Sequence, residues 1–225
     1  MKVLSLYSLK GGVGKSSTAV NLAYAAATAG VPTLLIDLDA QSSASYYLRV
    51  KPVGPGAKDI ARGEGKVARA IKESDYPNLD LLPGSFSYRK LPALLSDAGK
   101  PHKKLAAAWK PLGNQYDLVL IDSHAGIDAE AEALFRAADA LLVPVIPTPL
   151  SVNTYHRVVG FFEKKALHLD KLHPFFSMVD RRRKLQRELM EELSAADGRF
   201  LGSAVPYSAE VERMGSYREP LLARR

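Results

Sequence analysis

Lys10-Gly11-Gly12-Val13-Gly14-Lys15-Ser16-Ser17 stands between an apolar run, Val3 to Leu6, and a long helical pattern that begins near Lys15. Strand, glycine-rich loop and helix in that order are the setting a phosphate-binding loop needs. The glycines let backbone N–H groups converge on an anion with no Cβ in the way. The helix start adds unpaired N–H groups and the positive end of its dipole. Lys15 is placed to bring charge to the β/γ-phosphates of a nucleotide, and Ser16 to offer a hydroxyl to Mg2+. The loop departs from GxxxxGK[ST] at its first position, where Leu9 replaces glycine, and a second lysine, Lys10, lies just inside it.

The rest of the chain alternates between strand and helix patterns. Lys15 to Ala29 reads as a helix that Gly30 terminates and Pro32 keeps from continuing. Thr33 to Ile36 is almost wholly apolar, as in a sheet covered on both faces. Leu79–Leu82, Leu118–Ile121, Ala140–Val145, Leu172–Met178 and Gly202–Val205 read as further strands. Helices are predicted over Val67–Ile71, Tyr88–Leu95, Lys103–Leu112 and Ala129–Ala137, with Gly99 and Pro101 as separators. Others run from a Ser151 cap to about His168, from the basic cluster near Arg183 to Ala196, and over Glu210–Met214. Tyr46 to Leu48 closes a short helix, and Lys51 to Gly65, with its glycines and prolines, reads as a surface excursion. No linker or repeat interrupts the pattern. The expectation is one domain over residues 1–225, an α/β fold with a mostly parallel central sheet and helices on both faces, of the P-loop NTPase type.

In such a sheet ligands collect beyond the carboxyl ends of the strands. Two predicted strands end there in carboxylates. One runs into Asp37-Leu38-Asp39-Ala40-Gln41-Ser42, the other into Asp122-Ser123-His124-Ala125-Gly126. A capped turn would also use aspartate and serine, but two carboxylates beside a phosphate loop read as functional. Asp122 can hold Mg2+ through a water, opposite Ser16. His124 reads as a loop residue in preference to a general base.

The chain holds no cysteine, which excludes structural disulfides and cysteine metal sites and fits a reducing cytosol. Met1 to Tyr7 lacks signal-peptide organisation, and no apolar run reaches membrane-spanning length. A net charge of +7 draws a protein to polyanions. The charge concentrates at Arg181-Arg182-Arg183-Lys184, with Arg187 one helical turn further on.

The Lys10–Ser17 loop resembles that of the ParA/MinD family of partition and positioning ATPases, whose P-loop carries this extra lysine. Asp37-Leu38-Asp39-Ala40-Gln41 is similar to the family's second motif and Asp122 to Gly126 to its third, while Ser177 to Arg181 and Val205 to Pro220 resemble its nucleotide-base end. The resemblance spans essentially the whole chain and is nearest to small ParA proteins without an N-terminal DNA-binding extension. It implies that Gly11, Gly12, Val13, Gly14, Lys15 and Ser17 surround the phosphates of ATP. It implies that Ser16 and Asp122, with Asp37 nearby, hold Mg2+, and that Asp39 orients the attacking water. It further implies that Lys10 reaches across a dimer to the partner's ATP, and that Met178, Asp180, Pro206 and Tyr207 line the adenine site. Ala40 and His124 stand where prolines are usual, and Ser17 where threonine is common.

The resemblance thus implies a slow, partner-stimulated ATPase, cytoplasmic and nucleoid-associated, that forms an ATP-dependent homodimer. The dimer is expected to bind double-stranded DNA without reading bases, through Arg181, Arg182, Arg183, Lys184 and Arg187, extended by Arg213, Arg218, Arg224 and Arg225. A ParB-like or cargo adaptor would stimulate hydrolysis, and the cycle would segregate or position DNA or another cargo. Two alternatives are a MinD-like role on membranes and an ATP-stabilised scaffold for a secretion, polysaccharide or organelle assembly. The tail from Tyr217 argues against the membrane role, because it is short and interrupted by Pro220.

Overall fold

The computed structural model describes residues 1–51, 56–63, 67–97 and 99–224. In chain order the elements are β1 (Lys2–Leu6), α1 (Lys15–Thr28), β2 (Thr33–Asp37), α2 (Ser43–Tyr47), α3 (Ala57–Arg62), β3 (Lys72–Glu73), β4 (Leu79–Leu82), α4 (Leu91–Ser96) and α5 (Pro101–Trp109). They continue with β5 (Leu118–Asp122), α6 (Ala129–Ala137), β6 (Ala140–Val145), α7 (Pro149–Lys164), β7 (Leu172–Val179), α8 (Lys184–Ala196), β8 (Ala204–Pro206) and α9 (Ala209–Tyr217). Eight strands form one sheet in the order β3-β4-β2-β5-β1-β6-β7-β8. All pairings are parallel except the short edge pair β3–β4.

Burial on both faces explains the continuous apolar strands. Leu34 and Ile36 of β2 and Val119 and Ile121 of β5 point to one face, with apolar side chains of α3 to α7. Leu35, Leu120 and Leu6 point to the other, against α1, α2 and α9. Ala19, Ala23 and Ala27 are buried on α1, so small side chains bring that helix close to the sheet. From β1 the chain runs to β2 on one side, and from β5 it crosses to β6 on the other. The loops after β1 and β5 therefore open where the winding of the sheet reverses, the usual place for a ligand.

Several boundaries differ from the sequence reading. The supposed excursion over Lys51–Gly65 contains α3, whose buried Ala57, Ile60 and Ala61 belong to a helix that packs on α4 and α5; residues 52–55 and 64–66 lie outside the described residues. Val67 to Ile71 gives only a 3-10 turn over Ala68–Ala70. Tyr88 to Leu95 divides into a 3-10 stretch (Phe86–Lys90) and α4. Pro101 opens α5, where its missing N–H costs nothing, and that helix stops at Trp109. Ser151 does not cap α7. Thr148 holds that position, and Ser151 Oγ accepts the Ile146 N–H (3.1 Å) from the loop before it. α7 ends at Lys164, short of His168, with Ala166 in the left-handed region (φ 47°). The last strand starts at Ala204 and includes Pro206.

Candidate active site

Gly12 and Gly14 adopt φ of 71° and 88°, left-handed values that carry the chain from β1 into α1. A Cβ on Gly14 would meet Ser177 Oγ at 3.2 Å, and Ser177 Oγ itself donates to the Val13 carbonyl (2.9 Å). The loop is thus pinned from β7, and at its start Ser8 Oγ accepts the Lys10 N–H (3.1 Å). Ser17 Oγ donates to the Gly14 carbonyl (3.1 Å), in the first turn of α1.

The two lysines differ sharply. Lys15 is 8% exposed, and burial lowers its pKa against the opposing pull of Asp122 and Asp39. Lys10 is exposed. One positive charge is built into the loop beside carboxylates, while the other faces outward.

Asp37 and Asp122 are partners in the parallel register of β2 and β5, and both are fully buried. Asp37 accepts from the Ser45 N–H (2.8 Å), the Ser45 hydroxyl (2.7 Å) and the Asp39 N–H (3.3 Å). Ser42 makes no side-chain cap, so Asp37 caps α2 from the end of its strand. Burial still pushes its carboxyl up to about 6. Among the described residues, neither carboxylate oxygen of Asp122 has a hydrogen-bond partner. Burial and the neighbouring Asp37 push it up to about 7; Ser16 and Lys15 favour its charged form, although the Ser16 hydroxyl lies outside normal hydrogen-bond geometry. A buried acceptor with free lone pairs beside a serine and a lysine fits a divalent cation. Asp39 is half-buried, and its Oδ1 accepts the Gln41 N–H (2.9 Å).

The loop after Asp122 is tied on three sides. Ser123 Oγ donates to the Leu6 carbonyl (2.7 Å), and the Tyr7 hydroxyl donates to the Gly126 carbonyl (2.7 Å). His124 lies in the loop as expected, but it is also a bridge. Its Nε2 is 2.7 Å from Asp128 Oδ2 and its Nδ1 is 3.2 Å from Glu130 Oε1. Those two carboxylates outweigh burial and hold His124 at about 10, so it is an imidazolium at neutral pH.

On the far side of the loop, Gly14, Ser17, Met178, Pro206, Tyr207 and Val211 line a narrow cleft. A register shift between Phe176 and Val179 leaves Met178 at φ 55° and aims its methyl at Gly14. Asp180 does not line this cleft. Its carboxylate is engaged by Arg182 (2.9 and 3.0 Å), with Arg183 at 3.6 Å. A larger cleft of about 490 Å3, around Tyr76, Asn78 and Tyr116, lies at the opposite end of the strands and far from these groups.

The basic cluster falls on the loop after β7 and the first turn of α8. Arg182, Arg183 and Lys184 have side chains 88%, 70% and 81% exposed, so their pairs with Asp180 and Glu188 hold them only loosely. Arg187 Nη1 donates to the Arg181 carbonyl (2.7 Å). Arg213 is paired with Glu210 (2.7 Å). Arg218 is engaged by α2. It lies 4.6 Å over the Tyr46 ring and donates to the Tyr46 carbonyl, latching the C-terminal segment onto α2. Arg224 is paired with Glu219, and Arg225 lies outside the described residues.

This fold, with a glycine loop at its switch point and a free buried carboxylate opposite the loop serine, defines a P-loop nucleoside triphosphatase. The model of a family described as "AAA domain" matches residues 1–171. The chain is similar to the chromosome partitioning protein ParA of Caulobacter vibrioides, with 27% identity over 234 residues, covering 99% of this chain and 86% of that protein. It is also similar to the putative septum site-determining protein MinD of Emiliania huxleyi, with 29% identity over 232 residues, covering 98% and 80%. The structure of apo McdA from Cyanothece has the same fold, with a TM-score of 0.81 at 24% identity, covering 100% of this chain and 93% of that one. The chain belongs to the ParA/MinD family of ATPases, which act in partitioning and positioning. Among the described residues, no helix is long and apolar enough to cross a membrane.

The loop, Asp39 and Asp122 singled out from the sequence lie together at the carboxyl ends of β1, β2 and β5. Sequence reasoning missed Ser177, Ser45 and Tyr7, which hold the loops in place. Serine and tyrosine carry no signal of that role until the strands are assembled.

Proposed function

We propose that the chain is a slow ATPase whose ATP-bound form is a homodimer that binds double-stranded DNA without sequence preference and so positions DNA or another cargo. The observation that carries this reading is the contrast between the lysines: Lys15 is buried among carboxylates, whereas Lys10 faces solvent at the mouth of the same loop. A cation held outward is available to a nucleotide on a second copy. Phosphoryl transfer needs fixed positive charge around a spreading negative one, and an oriented water. Lys15 and the amides of residues 11–16 take the phosphates, Lys10 completes the partner's site, and Asp39 orients the water. Ser16 and Asp122 would hold Mg2+, with Asp37 behind them, and the ion neutralises phosphate charge when bound. Met178, Pro206 and Tyr207 face the base.

DNA binding rests on Arg181, Arg182, Arg183, Lys184 and Arg187. Cations at a helix N-terminus oppose the helix dipole, and α8 has no acidic residue in its first turn. An anionic partner relieves that conflict. Arg213 is available at the cost of a surface pair, while Arg218 is committed to α2. A DNA-bound adaptor of the ParB kind, or a cargo protein, would stimulate turnover, and the cycle would run on the nucleoid in the cytoplasm.

The test is light scattering with and without ATP, together with DNA retention, for wild type, Lys10→Ala and the reversal Arg182→Glu/Arg183→Glu. Wild type should dimerise with ATP and retain DNA. Lys10→Ala should stay monomeric, and the reversal should dimerise but lose DNA. A wild type that remains monomeric with ATP sinks the reading.

A further inference from the structure

Asp122 presents an unusual positioning problem. A carboxylate that keeps both oxygens free of hydrogen bonds cannot fix its own orientation. Its neighbours in the chain must do so. On the strand side Ser123 is bonded to the Leu6 carbonyl, and the middle of the loop is bonded through Gly126 to Tyr7. Tyr7 also packs edge-on against Phe135 of α6, with ring centres 4.6 Å apart. His124 reaches both Asp128, the last residue of the loop, and Glu130 in the first turn of α6.

Each of those carboxylates is itself anchored. Asp128 is the N-cap of α6, its Oδ1 accepting the Ala131 N–H (3.0 Å). Glu130, in the first turn, is only 1% exposed. The bridge is only partly buried, with the His124 and Asp128 side chains 25% and 31% exposed and Glu130 enclosed, and an ion pair that encloses a charge is a poor way to gain stability, since apolar residues of the same volume serve as well or better. It is a good way to select one geometry from several, because Glu130 left alone is a buried charge without compensation. Asp39 exerts its charge on both Asp122 and Glu130, so the bridge stands beside the hydrolytic carboxylates.

We propose that His124 is a positioning residue for ATP hydrolysis, whose bridge to Asp128 and Glu130 locks the 123–128 loop onto the first turn of α6 and thereby sets the orientation of Asp122. His124 touches neither nucleotide nor water in this role; it acts through the loop. The inference rests on the ATPase reading above and adds a residue to it.

The experiment compares steady-state turnover, the dissociation constant of a fluorescent ATP analogue and thermal stability in four proteins: wild type, His124→Ala, His124→Ala/Glu130→Gln and His124→Gln. His124→Ala exposes an uncompensated Glu130 and is expected to lose both stability and turnover. The double variant removes that charge. It should recover the melting temperature and bind the analogue within about twofold of wild type, with kcat still down on the order of tenfold and KM little changed, since small misplacements at a reacting centre cost rate more than binding. His124→Gln, which keeps one donor, should regain part of kcat. If the double variant turns over at the wild-type rate, His124 merely compensates a charge and the proposal falls. If kcat stays low only because the analogue no longer binds, it falls as well. A wild type without turnover would overturn the ATPase reading itself, a different result from either.

Discussion

The ends of β2 and β5 carry the same residue at the same level of one sheet, and the two behave oppositely. Asp37 is surrounded by donors and serves as a remote cap for α2. Asp122, its register partner, is equally buried and accepts nothing. The difference comes from the path of the chain beyond each strand. After Asp37 the chain turns through Asp39 into a helix whose N–H groups point back at the carboxylate. After Asp122 the chain is drawn away to β1 and α6 by Ser123, Gly126 and His124. Two aspartates that look alike in the sequence are thus a structural acceptor and a buried carboxylate whose oxygens are left open.

The largest effect expected from this contrast is at Asp122. Asp122→Asn should lower Mg2+-dependent ATP turnover on the order of 100-fold, as the loss of the proposed Mg2+ ligand requires. Stability of the nucleotide-free protein should change by less than about 1 kcal/mol, because no donor loses a partner. Chemical denaturation beside a turnover assay reads both. A clear loss of stability would mean that Asp122 has a protein partner after all. Asp37→Asn should reverse the pattern. The one oxygen left can serve Ser45 while the new NH2 faces the Asp39 N–H, costing about 1 kcal/mol of stability, while turnover falls on the order of tenfold as α2 shifts. If Asp37→Asn abolishes the Mg2+ dependence as completely as Asp122→Asn, the division of labour between the strands is wrong.

The same contrast shows what could be read from the chain. The loop from Lys10 to Ser17, the carboxylates at strand ends and the parallel alternation all depend on residues close in sequence, and they were legible. The partners that hold them were not. Ser177 reaches Val13 from β7, and Ser45 Oγ both donates to Asp37 and accepts the Gly84 N–H (2.8 Å). Neither link exists until separate elements pack. Asp180 shows the same limit in reverse. Its position beside Met178 suggested the base cleft, and nothing in the sequence signalled that Arg182, two residues on, would bond its carboxylate. The helix α3 was hidden because the glycines and prolines around it outweighed a short apolar face formed by Ala57, Ile60 and Ala61.

A third carboxylate sets the far end of the scale, with the smallest effect. Asp197 lies away from the active site, between α8 and Phe200. Its Oδ2 accepts from Tyr155 (2.6 Å), and Arg199 holds both oxygens at 2.7 Å. Burial raises its carboxyl, but Arg199 and Tyr155 more than offset that and hold it at about 2, below the ordinary 3.8. A folded-state value below the unfolded one means that the unfolded chain takes up the proton first as pH falls. The stability contributed by Asp197 is therefore present in full above the ordinary carboxylate range. It declines as pH drops from about 4 towards about 2. Asp197→Asn should lower stability at pH 7, and the gap from wild type should close through that acid window in denaturation curves taken at stepped pH. A gap that stays constant or widens on acidification would mean that the Arg199 fork is not what holds this carboxylate, and donors alone would no longer explain why Asp122 and Asp197 sit at opposite ends of one scale.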